Sequence, residues 1–211
     1  MIIYTIIAGI TLLLLAIASM MFGVKFSRAN KWAKLFSLYL FSLFSVEIIG
    51  KILWFNGENN LSLLHGFCYV EWLILTLFFL ANQKEKSDLW FILSGSLFAL
   101  FVMTFGSLFM YDFDTFNVVG FFGLKLYLMV LSLRELYLFY FERKQLSKLI
   151  HFGLILSAIV SMVVFSFGNL LSSIAANDQV YLWLFNASAF WMSLILYMSE
   201  IRFNASWKVQ N

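Results

Sequence analysis

The chain alternates between long apolar runs and short polar segments. Each of seven runs is close to the length of about 20 residues that a helix needs to cross a bilayer. The pattern therefore predicts an all-α protein, a bundle of seven transmembrane helices that forms a single domain over residues 1–211. The predicted spans are residues 2–23, 35–55, 61–81, 89–110, 118–141, 149–171 and 180–203.

The polar linkers alternate in charge, and this alternation predicts an orientation. The first, third and fifth linkers carry Lys and Arg, whereas the second, fourth and sixth carry only acidic charges. Basic loops remain on the cytoplasmic side of a membrane. We therefore expect the N-terminus outside and the C-terminus in the cytoplasm. The basic linker residues are Lys25, Arg28, Lys31, Lys34, Lys84, Lys86, Arg143, Lys144 and Lys148.

The composition excludes a water-soluble protein of this size. Hydrophobic residues make up 63% of the chain and charged residues only 12%, whereas soluble domains are about half apolar and about a quarter charged. The sequence therefore predicts a multi-pass protein of a cell membrane whose main partner is the lipid bilayer. Because the net charge of +3 lies in linkers between apolar runs, it indicates topology and not nucleic-acid binding.

Several kinds of chemistry are missing from the sequence. Cys68 is the only cysteine, and the two histidines, His65 and His151, fall near opposite faces of the membrane, so no metal site is predicted. This also excludes the histidine-rich seven-helix hydrolases related to alkaline ceramidases. Retinal proteins are excluded because the last predicted span contains no lysine. No nucleophile elbow or phosphate-binding loop is present, and no cofactor is predicted.

The first three and the last three spans share one plan of orientation and linker charge. This plan is typical of a 3+1+3 arrangement, in which the fourth span joins two parallel repeats. Residue identity between the two halves is slight, so a bundle without duplication remains an alternative. Small residues in the sixth span, Gly153, Ser157 and Ser161, recur at the spacing that lets helices pack closely.

Charged and polar residues interrupt four spans at overlapping depths, from the middle of the bilayer through its outer half. Glu47 and Lys51 lie one helical turn apart in the second span, where they can pair. Ionisable groups avoid lipid at that depth, so they should face the interior of the bundle. We expect an acid–base contact between different helices and a polar, outward-facing pocket; a purely structural ion-pair network is the alternative. The candidate pocket residues are Glu47, Lys51, His65, Glu71, Lys125 and Asn186.

A second set of charges lies near the cytoplasmic face. Arg134 and Glu135 are adjacent in the fifth span, and Glu200 ends a polar stripe along the seventh. These residues are candidates for an inner gate or a partner site. The alternative is that their long side chains reach to the membrane interface and anchor the helices there.

The second and third spans resemble a known group of sequences. The stretch from Glu47 through Asn59 and Asn60 to Tyr69, Glu71 and Trp72 is similar to small seven-span membrane proteins of Bacteroidota genomes. The resemblance implies a bacterial inner membrane and the same span count, and it implies no activity. Lys51 and Lys125 are not part of the group's pattern.

Three functional hypotheses remain from the sequence. The first is a protein that binds a small polar or lipid ligand in the predicted pocket, as a sensor or a transporter. The second is an intramembrane enzyme acting on lipid, with Glu47 or Glu71 as the acid or base. The third is a subunit whose charges pair with another membrane protein. The first hypothesis is the leading one, and the intramembrane enzyme is the second.

Overall fold

The structure is a computed structural model that describes residues 2–81, 83, 85–110, 117–142, 147–166 and 176–203. Within these ranges seven α-helices occur, one for each predicted run. Most of the last three predicted linkers, the end of the sixth run and the C-terminal tail lie outside the described residues. The helices are α1 (Ile2–Val24), α2 (Lys31–Phe55), α3 (Leu61–Ala81), α4 (Lys86–Phe105), α5 (Val118–Glu142), α6 (Lys148–Ser166) and α7 (Ala176–Phe203).

Six of these seven helices are long and apolar enough to cross a membrane, which makes the chain a membrane protein. The exception is α5, although its 25 residues are enough for the length of a span. Four charged residues interrupt its apolar sequence, namely Lys125, Arg134, Glu135 and Glu142. The fifth predicted span is therefore confirmed as a helix, and its membrane crossing remains a prediction.

Asparagine side chains determine where two helices begin. The side chain of Asn30 accepts a hydrogen bond from the Ala33 amide at 3.1 Å, so α2 starts four residues before the predicted run. Asn117 accepts one from the Gly120 amide at 2.8 Å at the start of α5. Such caps satisfy amides that have no partner inside the helix. Asn117 also donates to Ser107 at 2.9 Å, in the π-helical turn Gly106–Met110 that follows α4.

Neighbouring helices in the sequence are also neighbours in space. Each helix contacts the next, and α7 returns to contact α1, so the seven helices form a closed ring with an additional contact between α3 and α5. Consecutive helices run antiparallel, while α7 and α1 run parallel: Trp191 donates to Thr11 at 2.8 Å, and Lys25 donates to the Ile201 carbonyl at 3.1 Å.

The ring has two ends, which we name by the predicted linker charges. The basic end is where α1, α3, α5 and α7 finish and α2, α4 and α6 begin. The acidic end is the opposite one. The short turn between α2 and α3 at the acidic end contains Gly57, whose φ of 75° favours glycine.

An aromatic layer fills the ring in its half toward the basic end. Phe36, Phe78, Phe79 and Tyr197 form this layer, and none of them is more than 1% exposed. The rings of Phe36 and Tyr197 are 4.9 Å apart, and those of Phe36 and Phe78 are 5.5 Å apart. Edge-to-face and tilted contacts of this kind give a dense core. The layer therefore blocks the interior at this depth.

The outer surface of the ring is apolar. Large side chains such as Leu97, Phe98 and Phe101 are 64 to 68% exposed. A soluble monomer rarely exposes a continuous apolar surface. This surface is suited to lipid contact, in agreement with the membrane prediction.

We expect Gly153→Ala to destabilise the protein. A Cβ atom at Gly153 would clash with the ring of Tyr197, which is 1% exposed and cannot move freely. Such overpacking costs about 1–3 kcal/mol, more than the gain of about 1 kcal/mol from alanine's higher helix propensity. The control is Gly9→Ala, because a Cβ there meets nothing within 4 Å. Thermal unfolding in detergent should show a lower midpoint only for Gly153→Ala, and equal midpoints would contradict this packing.

Candidate functional site

A cavity of about 360 Å³ lies inside the ring, and we call it the central cavity. Its lining comes from every described helix except α4. Five of the six predicted pocket residues line it. These five are Glu47, Lys51, Glu71, Lys125 and Asn186.

The predicted acid–base contact between helices is confirmed by Glu71 of α3 and Lys125 of α5. The Lys125 ammonium lies 2.7 Å from Oε1 and 2.8 Å from Oε2 of Glu71. The hydroxyl of Tyr39 in α2 donates to the same carboxylate at 3.1 Å. Glu71 is 2% exposed, so this charge-assisted contact replaces the water that the carboxylate loses. Three helices are joined at this point.

The predicted pairing of Glu47 with Lys51 does not form a direct contact. Among the described residues no ion pair or hydrogen bond joins them; the Lys51 ammonium instead donates to the Ala8 carbonyl of α1 at 2.7 Å. Two side chains four residues apart can meet, but here a backbone oxygen of the adjacent helix is the acceptor. Both residues are half-buried and line the central cavity.

The other two predicted pocket residues lie in different places. Asn186 of α7 lines the central cavity, where its side-chain oxygen accepts from Ser161 of α6 at 3.4 Å. His65 is 8% exposed and is not among the residues that line the central cavity in the described part of the chain. It lines a void of about 10 Å³ near Tyr69 and Asn117 instead. Its position on α3 directs it toward α4 and α5.

A second and larger cavity of about 580 Å³ adjoins the first at the acidic end. We call it the side cavity. It lies between α1, α2 and the start of α3, and its lining is mostly apolar. Glu47, Lys51, Tyr4 and Trp183 line both cavities. The lining also includes Phe55, which is 75% exposed, so this cavity reaches the outer surface of the ring.

The second predicted set of charges forms a network near the basic end. Arg134 contacts Asp88, and it lies 3.2 Å from Glu135, which also accepts a hydrogen bond from Gln83. Asp88 and Glu135 are 8% and 2% exposed. Side chains buried to this degree lie inside the bundle and not on its outer surface.

Glu200 has a different structural role from Arg134. Its Oε2 accepts a hydrogen bond from the Leu149 amide at 2.9 Å, in the first turn of α6. A carboxylate is stabilised at a helix N-terminus by unpaired amides and by the helix dipole. The residue is 3% exposed and ends the polar stripe of α7. That stripe faces the interior, as predicted, because Ser193 and Tyr197 are also buried.

Two important residues were not predicted from the sequence. Tyr39 lies in an apolar run, but it precedes Glu47 and Lys51 at multiples of four residues, so all three line the same face of α2. This spacing is a usable signal. Asp88 lies just before the predicted run 89–110, whereas the structure places it in the first turn of α4. Acidic residues are common there, but nothing in the sequence identifies Arg134 as its partner.

Comparisons with known proteins give no further assignment. No family model, curated protein or solved structure matches this chain. Within the described residues, no group of three or more His, Cys, Asp or Glu side chains could hold a metal ion.

Proposed function

We propose that this protein binds a small polar or lipid ligand in the central cavity, as a sensor or transporter of a bacterial inner membrane. The observation that carries the proposal is the position of the charges: side chains from α2, α3 and α5 bring two acids and two bases to one cavity. Ionisable groups inside a membrane are costly and usually mark a ligand or ion path. The same position weakens the subunit hypothesis, because these charges face the interior and not the outer surface.

The aromatic layer favours binding from the acidic end. It closes the ring between the central cavity and the basic end, where Phe36 and Phe78 are both fully buried. A sensor can work with this barrier permanently closed. A transporter would need the layer to part in a second conformation.

The enzyme hypothesis has less support. Both oxygens of Glu71 accept hydrogen bonds from Lys125, so this carboxylate is already engaged in an ion pair. Glu47 remains as the candidate acid or base, since it borders the side cavity. No activated nucleophile accompanies it among the residues that the structure describes.

We further propose that α5 crosses the membrane, which gives seven spans with the acidic end outside. The charges of α5 support this because Lys125 and Arg134 both have acidic partners inside the ring. Its opposite face presents Leu126, Val130 and Leu133, which are 40 to 50% exposed. An apolar face with charges directed inward is compatible with lipid.

Reporter fusions test the span count. We expect fusions after residues 28, 85 and 144, and at the C-terminus, to report the cytoplasm. If α5 stayed outside the membrane, six spans would remain, and the fusions after residue 144 and at the C-terminus would report the outside. Paired fusions to alkaline phosphatase and green fluorescent protein at each site distinguish these outcomes.

Binding is tested by thermal unfolding of the purified protein with a panel of polar metabolites and lipids. A ligand present at 100 times its Kd stabilises the folded state by about 2.7 kcal/mol. Ala187 lines the central cavity and is 9% exposed, so Ala187→Phe should fill part of it and remove the stabilisation. The control is Leu97→Phe on the outer surface, where Leu97 is 67% exposed. The proposal is wrong if no compound stabilises the protein, or if Ala187→Phe responds as the control does.

A further inference from the structure

The four charges of the central cavity fall into two different groups. Glu71 and Lys125 neutralise each other at 2.7 Å, and Tyr39 adds a third partner. Glu47 and Lys51 make no direct contact, although they lie only one turn apart on α2. The partners in the first group are therefore in direct contact, whereas the acidic and the basic side chain of the second group border the same cavities without touching each other.

Neither charged group of this second pair has all the hydrogen-bond partners that it can take. The Lys51 ammonium carries three N–H donors, and its hydrogen bond among the described residues goes to the neutral carbonyl of Ala8. The Glu47 carboxylate has no hydrogen-bond partner in the part of the chain that the structure describes. A charge removed from water is stabilised by an opposite charge or by hydrogen bonds. Both groups can therefore be completed by a ligand.

We propose that Glu47 and Lys51 bind a zwitterion, with its ammonium group on Glu47 and its phosphate or carboxylate on Lys51. This inference rests on the proposed function and specifies its ligand class. Four residues along a helix correspond to a rise of about 6 Å. A ligand whose two charges are separated by a short carbon linker spans that distance. A simple cation would pair only with Glu47, and a simple anion would pair only with Lys51.

The walls of the two cavities fit the same ligand. Tyr4 and Trp183 line both cavities beside Glu47 and Lys51, and aromatic faces attract ammonium groups. The mostly apolar side cavity extends from the two charges to the outer surface at Phe55. An attached apolar group could lie there. Two sources of such a ligand share this chemistry, namely the headgroup of an ethanolamine phospholipid and a free zwitterion similar to an amino acid.

The test compares matched probes on delipidated, purified protein. Phosphoethanolamine and glycine carry both charges, whereas ethanolamine and inorganic phosphate carry one kind each. Micelles containing phosphatidylethanolamine or phosphatidylglycerol form the lipid arm. We expect a zwitterionic probe to raise the unfolding midpoint at concentrations at least tenfold lower than its single-charge components. Response to the soluble zwitterions identifies a free ligand, and response to phosphatidylethanolamine alone identifies a lipid headgroup.

Three variants assign the effect to the two residues. Glu47→Gln and Lys51→Gln should each weaken the response at least tenfold, while Glu58→Gln in the exposed turn after α2 should leave it unchanged. Equal responses to zwitterions and to single-charge probes would overturn the inference, as would unchanged binding in both cavity variants. A different ligand that is blocked by Ala187→Phe would overturn the zwitterion inference alone. The absence of any ligand would overturn the proposed function with it.

Discussion

Lys125→Met is expected to lower the free energy of unfolding by about 3–5 kcal/mol, the usual cost of removing one partner of a buried ion pair. The variant leaves Glu71, which is 2% exposed, with the Tyr39 hydroxyl as its remaining partner among the hydrogen bonds described above. A single hydroxyl donor does not compensate a buried carboxylate. Methionine keeps most of the side-chain length, so the loss reflects charge more than packing.

The double variant Glu71→Leu with Lys125→Met tests this explanation. Replacing both partners of a buried pair by apolar residues is often close to neutral, so the double variant should be more stable than Lys125→Met alone. Lys86→Met is the control, because Lys86 is exposed at the start of α4. Reversible unfolding in mixed micelles measures all three variants. If the double variant is the less stable one, the ion pair is not the source of the effect.

Phe78→Ala, in the aromatic layer, should lower the free energy of unfolding by an amount comparable to that of Lys125→Met. Phe78 is fully buried and contacts the rings of Phe36, Phe79 and Trp32. Truncation of a buried phenylalanine costs about 3–5 kcal/mol through lost contacts and the cavity left behind. In a membrane the lost contacts dominate, because lipid is as apolar as the protein core.

Phe98→Ala is the matched control for Phe78→Ala. Phe98 is 68% exposed on the outer surface of α4, where lipid can fill the space that the ring leaves. We expect its unfolding midpoint in detergent to stay near that of the unmodified protein. A similar loss in both variants would show that the layer is not a packed core.

The positions of the helices could be predicted well from apolar periodicity and length. The exact starts could not, because they depend on particular hydrogen bonds. Asn30 moves the start of α2 to Lys31, and α7 begins at Ala176, before its predicted run. These shifts involve polar residues at helix ends, where hydropathy carries little information.

The depth of the candidate site could be predicted from the sequence, but not all of the contacts that its side chains make. Hydropathy placed Glu71 and Lys125 at similar depths on different spans, and this was enough to predict their contact. Hydropathy could not show that Lys51 would donate to the Ala8 carbonyl, since every residue has a backbone carbonyl and the sequence does not indicate which one accepts. Hydropathy also could not show that His65 lies away from the central cavity, because depth does not specify which neighbouring helix a side chain faces.

The contact between α7 and α1 has a consequence for biosynthesis. Trp191 and Thr11 are 180 residues apart in the chain, so their hydrogen bond forms only after almost the whole protein has been made. The central cavity has the same requirement, because α7 contributes Trp183 and Asn186 to its wall. Chains interrupted before α7 thus carry Glu47 and Lys51 in an open ring, where water or lipid reaches them. The proposed ligand binding therefore requires complete translation, because a truncated chain lacks the part of the cavity wall that α7 supplies.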